Sequence, residues 1–280
     1  MAQERKRSKG AVGREDPVTR AVAGRDQSVI DMVDKAVRHA QVMLAYQPVV
    51  TVGSPDTPAF HEGLIRVLDA TGRVIPARDF IAEIEVMETG RVIDCLALQT
   101  GLRILAKHPG LRLSINMSAR SIGYARWTRL LEKGLHADPT IAERLILEIT
   151  ESSAMQVPEL VTGFMARLQS TGVSFALDNF GAGFTSFKFL KTFYFDILKI
   201  DGAFIRGIAT DADNQVLTAA MMNIARQFDM VTVAQNVETQ ADAAYLTALG
   251  IDCLQGYRFG APTMRPPWLA ANPERARAEA

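Results

Sequence analysis

Leu145-Ile146-Leu147-Glu148-Ile149-Thr150-Glu151 is the stretch on which the fold turns: a short apolar, β-rich run with acidic residues at its end. Similar runs recur at residues 44–52, 60–68, 111–117, 174–177, 197–200, 230–234 and 251–254, and helical stretches separate most of them. Ile30, Val33, Ala36 and Val37 share one face of a first helix, with Ser28 as its cap. Leu160, Val161, Phe164, Met165 and Leu168 make a second apolar face, and Val216, Leu217, Ala220, Met221, Ile224 and Phe228 a third. Both Met-rich faces read as core rather than as ligand sites. Eight strand candidates alternating with helices predict an α/β chain folded as a (β/α)₈ TIM-type barrel, with an open doubly wound sheet as the alternative. A barrel makes one demand: functional residues gather where the strands end and the βα loops begin.

Polar residues do gather there. Glu62 interrupts the run at 60–68, and Asn116 follows Leu113-Ser114-Ile115. Glu148 and Glu151 close the run at 145–150, and Asp178 and Asn179 follow Phe175-Ala176-Leu177. Lys199 and Asp201 flank Ile200, Gln235 and Glu238 follow Val231-Thr232-Val233-Ala234, and Gln255 follows Leu254. A charge in a strand buried on both faces is costly unless it is paired or bound to a metal. One such residue reads as a salt bridge or a solvated strand end, but the same feature repeated around a barrel reads as a site. Oxygen ligands suit a hard cation such as Mg²⁺ or Mn²⁺. His39, His61, His108 and His136 lack ligand spacing, which argues against zinc.

Composition limits the rest. The chain has 280 residues, 48% hydrophobic, with 31 basic and 31 acidic side chains, so its net charge gives no pull toward nucleic acid or an anionic membrane. Cys95 and Cys253 lie in apolar stretches and read as buried free thiols. No apolar run is long enough to span a bilayer and no signal-peptide core is present, so a cytoplasmic protein is expected. Residues 1–27 are basic and without periodicity and read as a disordered tail. The barrel is expected over 28–268, with a polar C-terminal tail over 269–280.

In order and spacing these segments resemble the EAL domain family. His61-Glu62-Gly63-Leu64-Ile65-Arg66 is similar to the naming motif, with Gly63 in place of its alanine, and Tyr46-Gln47-Pro48 to the motif before it. Asn116-Met117-Ser118-Ala119, Glu148-Ile149-Thr150-Glu151, Asp178-Asn179-Phe180-Gly181-Ala182-Gly183, Leu198-Lys199-Ile200-Asp201, the segment 233–239 and Gln255-Gly256-Tyr257 resemble its later motifs. The likeness covers about residues 38–263. It implies a modified barrel with an antiparallel first strand, and hydrolysis of cyclic di-GMP to pGpG with two Mg²⁺ or Mn²⁺ ions. Glu62, Asn116, Glu148 and Asp178 would hold the first ion, and positions 179 and 235 would complete the second site. Position 235 would also supply the base for the attacking water, with Lys199 beside that water. Gln47, Leu64, Arg66 and Gln255 would line the dinucleotide groove. Glu151, Glu238 and Asp201 would brace the loops, and the loop 180–186 would help form a homodimer.

Asn179 and Gln235 depart from the family, which is acidic at both positions. Each substitution keeps shape and removes charge, leaving three carboxylates (Glu62, Glu148, Asp178) where the family offers five. Residues 259–262 also lack the family's usual arginine before proline. The expectation is one bound ion at most and a degenerate EAL domain that binds cyclic di-GMP and signals through a protein partner, with little or no phosphodiesterase activity. An active metal-dependent phosphodiesterase and a nucleotide-independent scaffold are the alternatives.

Overall fold

The computed structural model describes residues 29–69, 71–183 and 187–270. The basic stretch 1–27, the cap position Ser28 and the tail from 271 onward lie outside them. Helix α1 spans 29–38 and buries Val33, Ala36 and Val37, as its periodicity predicts. Strands β1 (Val42–Thr51) and β2 (Ser54–Leu68) then form an antiparallel hairpin. A short strand β3 (Val74–Pro76), which the sequence pattern does not reveal, pairs antiparallel on β2 outside the ring.

The remainder alternates strand and helix. Helices α2 (Ile81–Ile84) and α3 (Glu88–Lys107) lead to β4 (Leu113–Asn116), and α4 (Ala125–Ala137) leads to β5 (Leu145–Thr150). Helices α5 (Glu151–Gln156) and α6 (Pro158–Gln169) precede β6 (Ser174–Phe180), and α7 (Phe187–Leu190) precedes β7 (Ile197–Ile200). Helices α8 (Gly202–Ile205) and α9 (Ala212–Gln227) precede β8 (Val231–Ala234), and α10 (Gln240–Leu249) precedes β9 (Cys253–Gln255). Last comes α11 (Pro267–Ala270). Neighbouring parallel strands need such crossovers, whereas the first hairpin needs only a tight turn. From β2 through β4 to β9 the pairings are parallel, and β9 closes onto β1 antiparallel. Eight of the nine strands thus form a closed barrel whose first strand runs backwards, as the resemblance implies, and the open sheet is excluded.

Strand alternation divides the core in two. Val49, Phe60, Ile146, Ala176, Ile197, Val233 and Cys253 fill the lumen. The outward set, including Leu113, Ile115, Leu147, Phe175, Leu177, Leu198 and Ile200, packs under the helices with Trp127, Phe164 and Met165. Cys95 and Cys253 are buried and unbonded. No helix of the described residues is long and apolar enough to cross a membrane.

The helical faces are narrower than predicted. Leu160 is 48% exposed on α6, and Val216 and Leu217 are 70% and 46% exposed on α9. Phe228, just past α9, is 38% exposed. Helix α9 instead buries Thr218, Met221, Met222 and Ala225, because the convex barrel meets each helix along a stripe, and residues at the stripe's edge stay in solvent.

Ile115 fills space that two missing side chains leave. A Cβ on Gly63 would lie 2.9 Å from Ile115 Cδ1, and one on Gly101 of α3 would lie 2.7 Å from it. Gly101 therefore permits close helix–strand approach rather than a special backbone angle. Gly101→Ala is expected to destabilise by about 1–3 kcal/mol through overpacking, against a helix-propensity gain of about 1 kcal/mol. Ile115→Val in the same chain should recover part of the loss. Chemical denaturation of the three variants checks this, and a stabilised Gly101→Ala would refute it.

Candidate functional site

The register of the strands places the polar residues in one layer above the apolar lumen. Gln47 lies opposite Glu62 on the β1–β2 ladder, and Asn116 lies beside Glu148 on the β4–β5 ladder. Lys199 lies beside Val233, so Gln235, two residues on, follows the same face. At Asp178 the regular ladder breaks. Leu177 and Phe180 pair with Leu198 and Ile200, so β6 uses one extra residue, and Asn179 takes a left-handed φ of 55°. Asparagine tolerates that region better than most side chains. Such a bulge re-aims the residue beside it, and Asp178 is buried in the box.

Lys199 is the centre of this layer. Its Nζ lies 2.9 Å from Glu62 Oε2, 2.5 Å from Glu148 Oε2 and 3.2 Å from Asp178 Oδ1, and its side chain is fully buried. Asn116 donates to Glu62 Oε1 at 2.8 Å, and Gln255 donates to Glu62 Oε2 at 2.6 Å and to Gln47 Oε1 at 3.3 Å. Gln47 in turn donates to the Gly260 carbonyl at 3.1 Å. Gln235 Nε2 donates to Asp178 Oδ1 at 2.8 Å.

Burial opposes every charge here; partners outweigh it at Glu62 and Lys199, and it prevails at Glu148 and Asp178. Burial alone would raise Glu62, but the Lys199 ammonium and donors from Gln255, Lys199 and Asn116 hold it below its ordinary value. Glu148 is pushed up to about 8 by burial and then by the Glu62 charge. Burial, ahead of the attraction of Lys199, also raises Asp178. Lys199 is held well above its ordinary value, because Asp178, Glu148 and Glu62 together outweigh its burial.

The donor chemistry, three carboxylates and an amide, suits a hard cation, and Glu148 Oε1 is buried without a hydrogen-bond partner. The arrangement does not. The acids close around Lys199, and no group of three or more acidic, His or Cys side chains among the described residues stands open to a metal. Two surface cavities of about 520 and 600 Å³ share no residue with this box.

The other expected residues divide. Leu64 and Arg66 continue along the Glu62 face of β2, and the Arg66 guanidinium donates to the Ile65 carbonyl at 2.9 Å. Glu151 is buried and accepts from the Gly181 amide at 3.0 Å, so it braces the loop after β6. Asp201 caps α8 by accepting from the Ala203 amide at 2.7 Å. Glu238, expected to brace a loop, lies exposed, 3.8 Å from Arg206, and an exposed pair of this kind contributes little.

A profile of the EAL domain matches residues 30–262. The chain belongs to the EAL domain family. It is 30% identical over 239 residues to the cyclic di-GMP phosphodiesterase PdeF of Escherichia coli, covering 84% of this chain and 32% of that protein. It is 29% identical over 234 residues to the cyclic di-GMP phosphodiesterase PdeB of Shewanella oneidensis, covering 82% of this chain and 27% of that one. The chain thus spans about a third or less of the length of these curated relatives. The solved PaMucR phosphodiesterase in complex with c-di-GMP superposes with a TM-score of 0.73 at 28% identity, covering 87% of this chain and all of that one. The FimX EAL domain of Pseudomonas aeruginosa, bound to c-di-GMP, superposes at 0.76 with 22% identity over 85% of this chain and 97% of that one, and supports the fold.

One positioning group of this EAL domain went unnoticed in the sequence. Asp94, buried on α3, accepts from the Ser118 amide at 3.0 Å and the Ser121 hydroxyl at 2.6 Å, and so fixes the turn that follows Asn116. An acid on the buried face of an apolar helix was its only signal. Burial pushes Asp94 up to about 7 with a small push from Glu85, against the two hydrogen bonds. The folded chain therefore holds this proton up to about 7, whereas an unfolded Asp releases it near 3.8. Between those values the folded state binds more protons, so stability falls as pH rises. Asp94→Asn, whose amide oxygen can accept from the same donors, should flatten the slope in that window. Denaturant midpoints measured across it check this, and equal slopes for the two chains would refute it.

Proposed function

We propose that this EAL domain captures cyclic di-GMP and acts as a cytoplasmic signalling effector through a protein partner or a homodimer, with phosphodiesterase turnover suppressed. The observation that carries the reading is the hydrogen bond from Gln235 Nε2 to Asp178 Oδ1. Where the family has an acid that could take a proton from water and help hold a second ion, this chain presents an N–H donor. That donor occupies one carboxylate oxygen of Asp178, a residue that would hold the first ion. A neutral amide cannot act as a general base, and such a base is worth roughly 10²–10⁴ in rate. Asn179, neutral and left-handed at the bulge, withholds a second negative charge.

Recognition draws on residues the family retains. Gln47 and Gln255 sit against Glu62, Leu64 and Arg66 continue along the same face of β2, and the four together are the groove residues of this reading. The guanidinium of Arg66 suits a phosphate because its fork matches two oxygens at once. The PaMucR complex and the named relatives support cyclic di-GMP as the ligand class. The same relatives favour a second reading, an active phosphodiesterase making pGpG.

Calorimetry with cyclic di-GMP and chromatography for pGpG separate the readings. The wild-type chain is expected to bind the dinucleotide and release little pGpG. Asn179→Asp with Gln235→Glu should raise turnover in Mg²⁺ or Mn²⁺ by roughly 10²–10⁴. Wild-type turnover as fast as that of the double variant would establish the enzyme instead, and absence of dinucleotide binding would leave only a scaffold.

A further inference from the structure

The three N–H bonds of Lys199 face three carboxylates. An ammonium has three donors and no acceptor, and the oxygens of Glu62, Glu148 and Asp178 satisfy it completely. We propose that Lys199 is a built-in counter-cation at the point where the acid oxygens converge, so that the chain takes up the dinucleotide without a divalent ion and binds Mg²⁺ or Mn²⁺ only weakly. The dinucleotide half of this rests on the function proposed above, while the cation half stands apart from it.

The accounting of oxygens leads there. A small hard cation such as Mg²⁺ requires near-octahedral oxygen ligation at about 2.0–2.1 Å. Glu62, Glu148 and Asp178 offer six carboxylate oxygens, and four of them already accept hydrogen bonds. Glu62 Oε1 accepts from Asn116, and Glu62 Oε2 from Lys199 and Gln255. Glu148 Oε2 accepts from Lys199, and Asp178 Oδ1 from Gln235 while facing the ammonium at 3.2 Å. An ion drawing on these oxygens must break that set and drive the ammonium off. Lys199 has no exposure, so it would be left as a buried charge short of partners. Acids at positions 179 and 235 would add two carboxylates beyond the three that Lys199 occupies. The amides add none, so the acids and the ammonium close on one another.

Mn²⁺ alone is the probe, titrated into the full chain and followed by electron paramagnetic resonance of the free ion. Lys199→Met removes the charge at similar length, and Asn179→Asp with Gln235→Glu keeps Lys199 and adds the missing acids. Both are expected to bind Mn²⁺ roughly tenfold or more tightly than wild type. Wild-type affinity for cyclic di-GMP should agree within about twofold in EDTA and in excess Mg²⁺. A wild-type Kd for Mn²⁺ of about 10 μM or tighter overturns the proposal whatever the variants do, and millimolar binding supports it if Lys199→Met fails to fold. Dinucleotide binding that is lost in EDTA also overturns it. If the dinucleotide binds under no condition, the functional reading falls and the Mn²⁺ comparison judges Lys199 by itself.

Discussion

The contact between the Lys199 ammonium and the carboxylates of Glu62, Glu148 and Asp178 is the constraint around which the upper barrel is organised. Each of these groups is buried, and each alone would be unaffordable in so dry a place. Together they are tolerated because each acid faces the ammonium and four of the six carboxylate oxygens accept hydrogen bonds. An ion pair of this kind is weak evidence of stability, since well-packed apolar side chains of similar volume often do as well. Its value is specificity: four strands, β2, β5, β6 and β7, must arrive in one register for the four groups to meet.

That register is secured by features some distance from the charges. The reversed β1 closes the ring by pairing with β2 on one side and β9 on the other, so no open edge remains between them. Its pairing with β2 sets Gln47 against Glu62, and its pairing with β9 sets Val49 against Gln255. Ile115 wedges between Gly63 and Gly101 and locks α3 against the sheet. Asp94 then ties the same helix to the turn after Asn116. Packing, hairpin geometry and one buried acid thus deliver the polar layer.

Much of this was legible in the chain and some was not, for reasons that differ residue by residue. All eight strands of the ring gave apolar runs, because strands covered on both faces need them. Glu62, Glu148, Asp178 and Lys199 were legible as charges out of place in such runs. β3 was invisible, since Val74-Ile75-Pro76 is too short to show a period. The bulge at Asn179 was invisible too, because an Asn in a left-handed conformation looks in sequence like any other Asn. The exposed edges of α6 and α9 misled, since periodicity reports that a face is apolar but not how wide a stripe its neighbour covers. Glu238 stood out only as an acid after a strand end, and its own surroundings are solvent and Arg206.

Amide substitution at 179 and 235 has a consequence for the fold as well as for chemistry. Five acids at one end of a barrel repel one another unless cations are bound, so such a site draws part of its stability from its ions. Three acids around one lysine carry their compensation within the chain. Gln235 goes further, because its amide nitrogen turns what would be a repulsion with Asp178 into a hydrogen bond of 2.8 Å. On the function proposed above, the change that withholds a base at 235 also relieves the unliganded state, the usual opposition between a strained site and a stable fold. The unliganded layer thus balances its own charges, with Lys199 standing against Glu62, Glu148 and Asp178 where cations would otherwise be needed.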